Sequence, residues 1–489
     1  LLLARHLRHD PADPSWPDRD RLFCAADATP AAGIAPVRLE APAGFLAAAS
    51  VGAALAERML AARFGRSLVD HRTWLLAGHV ELAAGGTHEA FAIAGAMPLG
   101  RLTVIAALRH GEVAPLARFA ALGWAIRRVA AGDSAAFEAA LAATSRAQKP
   151  TLVACVGEPS AATAGPDGDA NPRAAGARRA WLKRQRRHAS AELFIRMQAS
   201  RLPQGGIEAL APHAAQPAFS PAEAVRAALP RLAPAWPELA GLSPDGYFAA
   251  PAASFAGRVV AWGGRDQAAA AGMLGMALHG GLLPVVEMSC AGAEACLPAL
   301  RLAAALNLRL LLLLRVETPL PEGLRAALRA TAGARVFQPG DAAEALECLA
   351  LALRHVAAPS LLLLGEDAAQ AVPGAGARAC ARGGYVTHDM PHRDVTLVAG
   401  GADTQVALAT RRALEAAGVA AACVSLPCWQ LFALQDAAYR DTVLGAAPRI
   451  GFEAGRGFGW EGILGPDGLF VDTNAAADHV SAIVRRVRN

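Results

Sequence analysis

Two polar side chains stand where an α/β protein meets its ligand. In WLLAGHVELAAGGTHEAFAIAGAMPLGRLTVIAALRHG (74–111) one short apolar run ends at Gly78-His79 and a second ends at Arg109. Strand ends that open into glycine turns are the binding edge of open α/β sheets. A hard divalent cation there would want oxygen ligands, which an imidazole and a guanidinium do not supply. Two readings follow: Arg109 points to solvent, or Arg109 and His79 meet an anion directly, since a guanidinium fork suits phosphate.

The elements that would position these residues alternate between helix and apolar strand. Helices are predicted at 45–64, 86–96, 113–122 and 133–145, with strands at 73–77, 101–108, 124–129 and 151–155. Residues 156–220, rich in Pro, Gly, Ala and charge, read as a linker with helical pieces. Alternation resumes with strands at 258–262, 282–286, 308–314 and 360–364 and helices at 266–278, 291–306 and 341–355. A break at 371–384 precedes strands at 395–399, 420–425 and 448–452 and helices at 403–417 and 434–444. Such alternation implies parallel sheets covered on both faces.

Composition narrows the classes. The chain has 489 residues, of which 54% are apolar and 18% charged, enough for several cores and inconsistent with disorder. Its formal charge is +5, and only Lys149 and Lys183 are lysine, so the basic run RRAWLKRQRRH (178–188) reads as a solvated helix and no nucleic-acid partner is expected. Eight cysteines without a C-x-x-C pair read as buried thiols of a reducing, cytoplasmic compartment. The uncharged run from Ala268 to Val286 contains His279, Gly280-Gly281 and Pro284, which fits a helix ending at a turn better than a membrane span. No membrane association is expected. No leader pattern is visible, and with Leu1 rather than Met in first place an upstream piece is expected.

Several stretches resemble transketolases, in the family's order and over nearly the whole chain. DPADPSWPDRDRLF (10–23) resembles the entry segment NPxNPxWxxRDRF. LVDHRTWLLAGHVELAAGGTHEAFAIAGAMPLGRL (68–102) resembles the segment that carries GDG and EGxxHEA. FAALGWAIRRV (119–129) is similar to FEAYGWHV, and GGRDQAAAAGMLGMALHGGLLP (263–284) to GVREFGMxAIxNGxxLHGGxxP. RGGYV (382–386), LQDAAYRDTVL (434–444) and RIGFEAG (449–455) resemble the third domain. The resemblance implies an α/β, three-domain transketolase-like fold with two thiamine diphosphate-binding-type domains and a C-terminal α/β domain. Its implied bounds are 1–160 (an N-terminally truncated diphosphate-binding-type domain), 161–215 (linker), 216–375 (pyrimidine-binding-type) and 385–489. It also implies thiamine diphosphate with Mg²⁺ as cofactors, a homodimer, and transfer of a two-carbon ketol unit between sugar phosphates.

Carried over residue by residue, the chemistry is damaged. Gly78 keeps the first glycine of GDG, but His79 stands at the metal-binding Asp and Arg109 at the metal-binding Asn, while Val80 replaces the second glycine. The Glu of EGxxHE is Ala84, although Gly85, His88 and Glu89 remain. GPLGQG becomes APAGFL (41–46), and the histidine of SNGHGS falls at Ala28. The segment HSxxxGHPE has no counterpart between Thr29 and Ala41, nor has the loop AGTHxxHG after Gly157. Asp266 takes the place of the catalytic Glu, one methylene shorter, though Asp at a helix start is also an ordinary N-cap. Ser289, Gly292 and Ala295 replace the aromatic wall that stacks on the coenzyme ring. The substrate loop shrinks to RVETPLPEG (315–323). Glu366 and Glu223 fall at or near two phosphate-binding arginines, so repulsion of phosphate is expected. The sequence therefore reads as a degenerate, shortened member with ketol transfer lost or severely reduced and with thiamine diphosphate and Mg²⁺ bound weakly or not at all. The alternatives are weak retained transfer, and a non-catalytic subunit in a heterodimer with an intact transketolase.

Overall fold

Mostly apolar strands of three to seven residues, set between helices, build three mostly parallel sheets in the computed structural model of the chain. The structure describes all residues except 1, 11, 29–35, 113–114, 159–172, 206, 208–209, 211–218, 244–256, 318–319, 322, 377, 476–478 and 489. The first sheet contains β1 (Arg21–Cys24), β2 (Thr73–Ala77), β3 (Leu102–Leu108), β4 (Ala125–Ala130) and β5 (Thr151–Val156), in the order β1-β2-β3-β5-β4. The second contains β6 (Leu239–Ser243), β7 (Val259–Ala261), β8 (Leu283–Ser289), β9 (Leu311–Val316), β10 (Arg335–Phe337) and β11 (Ser360–Gly365), in the order β10-β11-β9-β8-β6-β7. The third contains β12 (Tyr385–His388), β13 (Val395–Ala399), β14 (Ala421–Ser425), β15 (Arg449–Glu453) and β16 (Leu469–Asp472), ordered β12-β14-β13-β15-β16, with only β12 antiparallel to its neighbour. The α/β fold class expected from the sequence is the one observed.

The chain divides into two compact units. The first comprises 1–201, 238–247 and 256–284; the second comprises 202–237, 248–255 and 285–489. In the first, the register Ala77↔Ala106 brings the ends of β2 and β3 side by side, so Gly78-His79 and Arg109 leave the sheet at one edge. Part of the stretch read as a linker is also structured: helices Ala174–Arg186 and Ala191–Gln198 bury Trp181 and Phe194 against Trp16 and Phe64. The ring centroids of Phe64 and Phe194 are 5.2 Å apart, edge to face.

The Phe45–Phe64 helix organises this unit. It is long and apolar enough to cross a bilayer, yet 89% of its most apolar window is buried inside the protein, as befits a core helix. It lies backbone to backbone against the Asp266–His279 helix. A Cβ built on Gly52 would stand 1.9 Å from the carbonyl oxygen of Gly272, and one on Gly275 would stand 1.8 Å from that of Ala49. Small residues are required here because the two backbones touch. Gly52→Ala is expected to cost about 1–3 kcal/mol or more, since its Cβ would meet the backbone of Gly272 and neither backbone can yield cheaply. Gly85→Ala, where a Cβ meets nothing within 4 Å, is the control and should leave stability unchanged or slightly higher. Thermal unfolding of the two variants checks this.

Candidate functional site

Helices that start inside a protein leave their first N–H groups without intrahelical partners, and these need an acceptor. At the strand edge of the first unit, the acceptors are carboxylates of the chain itself. Glu81 is 4% exposed, and its two oxygens accept from the backbone N–H of Gly44 (2.9 Å) and of Ala47 (2.8 Å), where the Phe45–Phe64 helix begins. Asp27 likewise accepts from the N–H of Gly78 (3.0 Å) and of Glu81 (3.1 Å), at the start of the short His79–Ala83 helix. Glu89 accepts from the N–H of Ala268 at 3.1 Å, in the first turn of the Asp266–His279 helix. Burial pushes the Glu81 carboxyl up in pKa, and the N–H donors from Gly44 and Ala47 pull it back down.

The four residues singled out from the sequence take different places around these carboxylates. Gly78 is needed for close approach, since a Cβ there would fall 2.6 Å from Oδ2 of Asp27. His79 and Arg109 are both exposed at the adjoining strand ends, and neither side chain has a hydrogen-bond or ion-pair partner among the described residues. The Arg109 backbone N–H donates to Glu112 Oε2 at 2.8 Å. Among the described residues no group of three His, Cys, Asp or Glu side chains could hold a metal ion. Asp266 is the first residue of its helix, not the N-cap; Arg265 holds that place without a side-chain capping bond. The N-cap reading of Asp266 is therefore corrected. Its helix start is served instead by Glu89, whose partner lies 179 residues away in sequence. Half-burial pushes the Asp266 carboxyl up.

In the second unit two further expectations change. Glu223 completes a capping box: Ser220 Oγ accepts from its N–H at 3.1 Å, and its own carboxylate accepts from the N–H of Ser220 at 2.9 Å. Glu366 is no bare carboxylate either. Arg226 grips it with both terminal nitrogens (3.2 and 2.9 Å) and also donates to Glu287 (3.2 and 3.1 Å), while Arg315 lies 3.5 Å from Glu287. Repulsion by Glu366 is thus muted by its arginine, and the same pairing leaves Arg226 committed within the protein. A cavity of about 290 Å³ opens where β9 and β11 end, lined by Arg325, Gln338, Asp367 and Gln405 among others. Its arginine is likewise committed, to Asp403 at 3.0 Å. Ser289, Gly292 and Ala295 lie at the end of β8 and in the turn and helix that follow it. The segments between Thr29 and Ala41, after Gly157 and in 315–323 fall partly outside the described residues.

Sequence reasoning missed Asp27 and Glu81, which match no motif, and a buried histidine pair. His71 and His279 are 1% and 4% exposed, and their Nε2 atoms are 2.7 Å apart. His279 Nδ1 bonds the carbonyl oxygen of Gly280 at 2.8 Å, so that nitrogen carries the proton and His279 Nε2 accepts from His71. His71 Nδ1 then faces Oδ1 of Asp18 at 3.3 Å, and the chain closes only with one further proton held between them.

Three mostly parallel sheets with helix starts gathered at the strand ends define this as an α/β protein. Comparison places it more narrowly. Residues 39–176 match the family described as "Transketolase, thiamine diphosphate binding domain", and 383–475 match "Transketolase-like TK C-terminal domain". The chromosomal transketolase of Cupriavidus necator is 33% identical, covering 96% of this chain and 88% of the relative. A transketolase of Cereibacter sphaeroides is 31% identical with the same coverage. A transketolase structure from Leishmania mexicana superposes with a TM-score of 0.85 at 23% identity, over 100% of this chain and 90% of that one. The chain belongs to the transketolase family. The alignment to the first relative spans 588 positions against 489 residues here, so that relative carries segments without a counterpart in this chain.

Two predictions follow from these contacts. Glu81→Gln puts an amide N–H₂ against one of two N–H donors and is expected to cost about 1–3 kcal/mol, whereas exposed His79→Ala should change stability by less than about 0.5 kcal/mol; urea unfolding measures both. The second concerns pH. Burial first, then Arg21, lowers both histidine pKa values well below 6.5, so below that pH the unfolded chain binds more protons than the folded one. Their contribution is intact above pH 6.5 and is lost as pH falls below it. Burial raises the Asp18 carboxyl and acts in the opposite sense, nearer the ordinary carboxylate range. Urea midpoints should fall more steeply below pH 6.5 in the native protein than in His279→Gln.

Proposed function

We propose that this chain is a transketolase-family protein in which ketol transfer is lost or severely reduced. The observation that carries the reading is the strand edge of the first unit. The backbone N–H groups of Gly44, Ala47, Gly78 and Glu81 are bonded to Glu81 and Asp27, and two carboxylates are poor neighbours for a diphosphate. His79 and Arg109 supply no oxygen ligand for the cation that would offset that charge. The residues present do not fit thiamine diphosphate with Mg²⁺, and no catalytic step is assigned through it. Weak retained transfer has one observation in its favour, the carboxyl of Asp266, held half-buried and raised in pKa at the position of the catalytic Glu.

The proposal includes a dimer, as the family implies, either with a second copy or with an intact transketolase as a non-catalytic partner. A cytoplasmic location belongs to the same reading, supported by eight cysteines that are all free thiols. Calorimetric titration with thiamine diphosphate and Mg²⁺ tests the core of it, with light scattering on the same sample for the dimer. No metal-dependent binding is expected at micromolar coenzyme, and a micromolar dissociation constant would refute the proposal. The triple variant His79→Asp, Arg109→Asn, Asp266→Glu is expected to show no transfer from xylulose 5-phosphate. Groups that act as a unit are not restored piecemeal. Ser289, Gly292 and Ala295 offer no stacking face, and Arg226 stays bound to Glu366.

A further inference from the structure

The second unit holds a cavity of about 650 Å³ lined from Arg449, the first residue of β15, to Trp429, which opens the helix after β14. Its walls come from helices Trp429–Ala433 and Ala437–Leu444 and from the turn at Ile463. Three guanidinium groups line it. Arg329 bonds Gln338 Oε1 at 2.9 Å, pairs with Glu453, and lies over Trp429 with its guanidinium carbon 4.1 Å from the ring centroid. The other two have only carbonyl dipoles for company. Arg440 donates to the carbonyl oxygen of Ala433 at 2.9 Å, and Arg449 donates to those of Ile463 (3.0 Å) and Gly445 (3.1 Å). Neither makes an ion pair with a carboxylate among the described residues. Asp441, exposed at the same cavity, is not within ion-pair distance of either.

The cavity also offers aromatic surface. Trp429 lines it half-buried, with Phe432 (1% exposed) behind, and the buried indole N–H of Trp429 has no acceptor among the described residues. At its rim, beside Ala433 and Gly459, Leu434 and Phe458 are 74% and 58% exposed, an unusual position for side chains of their size in this protein. Cavities of several hundred Å³ with apolar walls and a few converging polar groups are the common form of small-molecule sites. Two uncompensated guanidiniums select an anion, and the half-buried indole of Trp429 selects a planar ring.

We propose that this cavity binds a small anion carried on a planar ring, with the anion bridged by Arg440 and Arg449 and the ring held against Trp429. A phosphate ester and a ring-borne carboxylate share that chemistry. The inference is independent of whether the family reaction survives, since none of its residues belongs to the strand-edge sites.

Calorimetric titration of the full chain with AMP, with phenylpyruvate and with inorganic phosphate tests it. At least one ring-bearing anion is expected to bind with a sub-millimolar dissociation constant, more tightly than inorganic phosphate, and with AMP and phenylpyruvate separating the phosphate from the carboxylate source. Arg440→Gln should weaken that binding by about tenfold or more with an unchanged melting midpoint. Arg449→Lys, which keeps the charge but not the fork, should weaken it less than Arg449→Gln does. Absence of binding by both ring-bearing anions, phosphate binding as tightly as they do, or full affinity in Arg440→Gln would each overturn the proposal.

Discussion

A helix that begins in a protein interior must find acceptors for its first N–H groups, and the way this protein meets that demand governs its first unit. In a cofactor enzyme a bound anion can supply the acceptor oxygens. Here Glu81 supplies them for the Phe45–Phe64 helix and Asp27 for the turn that carries Glu81. The two carboxylates are linked, because Asp27 fixes the backbone whose side chain then reaches Gly44 and Ala47. The strand edge is thereby satisfied from within. A protein built this way does not rely on a bound anion to satisfy these helix starts, and His79 and Arg109 stand exposed beside them.

The same logic of internal pairing recurs in the second unit. Arg226 joins Glu287 and Glu366, and burial pushes the Glu287 carboxyl up against the pull of its arginine neighbours. Ion pairs of this sort, with side chains 4–24% exposed, offset the cost of taking charge out of water more than they add stability. What they do achieve is commitment: a guanidinium already held by two carboxylates is a poor receptor for an incoming phosphate. The arginines of the C-terminal cavity differ in just this respect, since Arg440 and Arg449 have no such partners.

Much of the architecture was legible in the sequence because it is written in local pattern. The runs Thr73–Ala77, Leu102–Leu108 and Leu311–Val316 are mostly apolar, as strands largely buried on both faces are, and the helices between them fall where turns and polar residues allow. Short or composite elements escaped: Arg21–Cys24, Leu239–Ser243 and Arg335–Phe337 are too brief to show a period. At the site, the place of His79 and Arg109 at two adjoining strand ends could be read from the sequence. The internal acceptors beside them could not. Glu81 meets Gly44 and Ala47 across 37 and 34 residues, and Asp27 meets Gly78 across 51. A side chain's acceptor role toward a distant backbone leaves no motif. Glu366 looked like a repulsive charge for the same reason, since Arg226 lies 140 residues away along the chain.

The discontinuity of the first unit bears on its synthesis. Its central Phe45–Phe64 helix is covered by a partner that starts only at Asp266, about 200 residues later. At roughly 5–20 residues per second, that interval leaves the apolar helix without its mate for about 10–40 s on the ribosome. During that time a segment hydrophobic enough to be mistaken for a membrane span is open to chaperones, to the insertion machinery and to other nascent chains. Whatever the mature protein does, its yield in the cell depends on how that interval is managed.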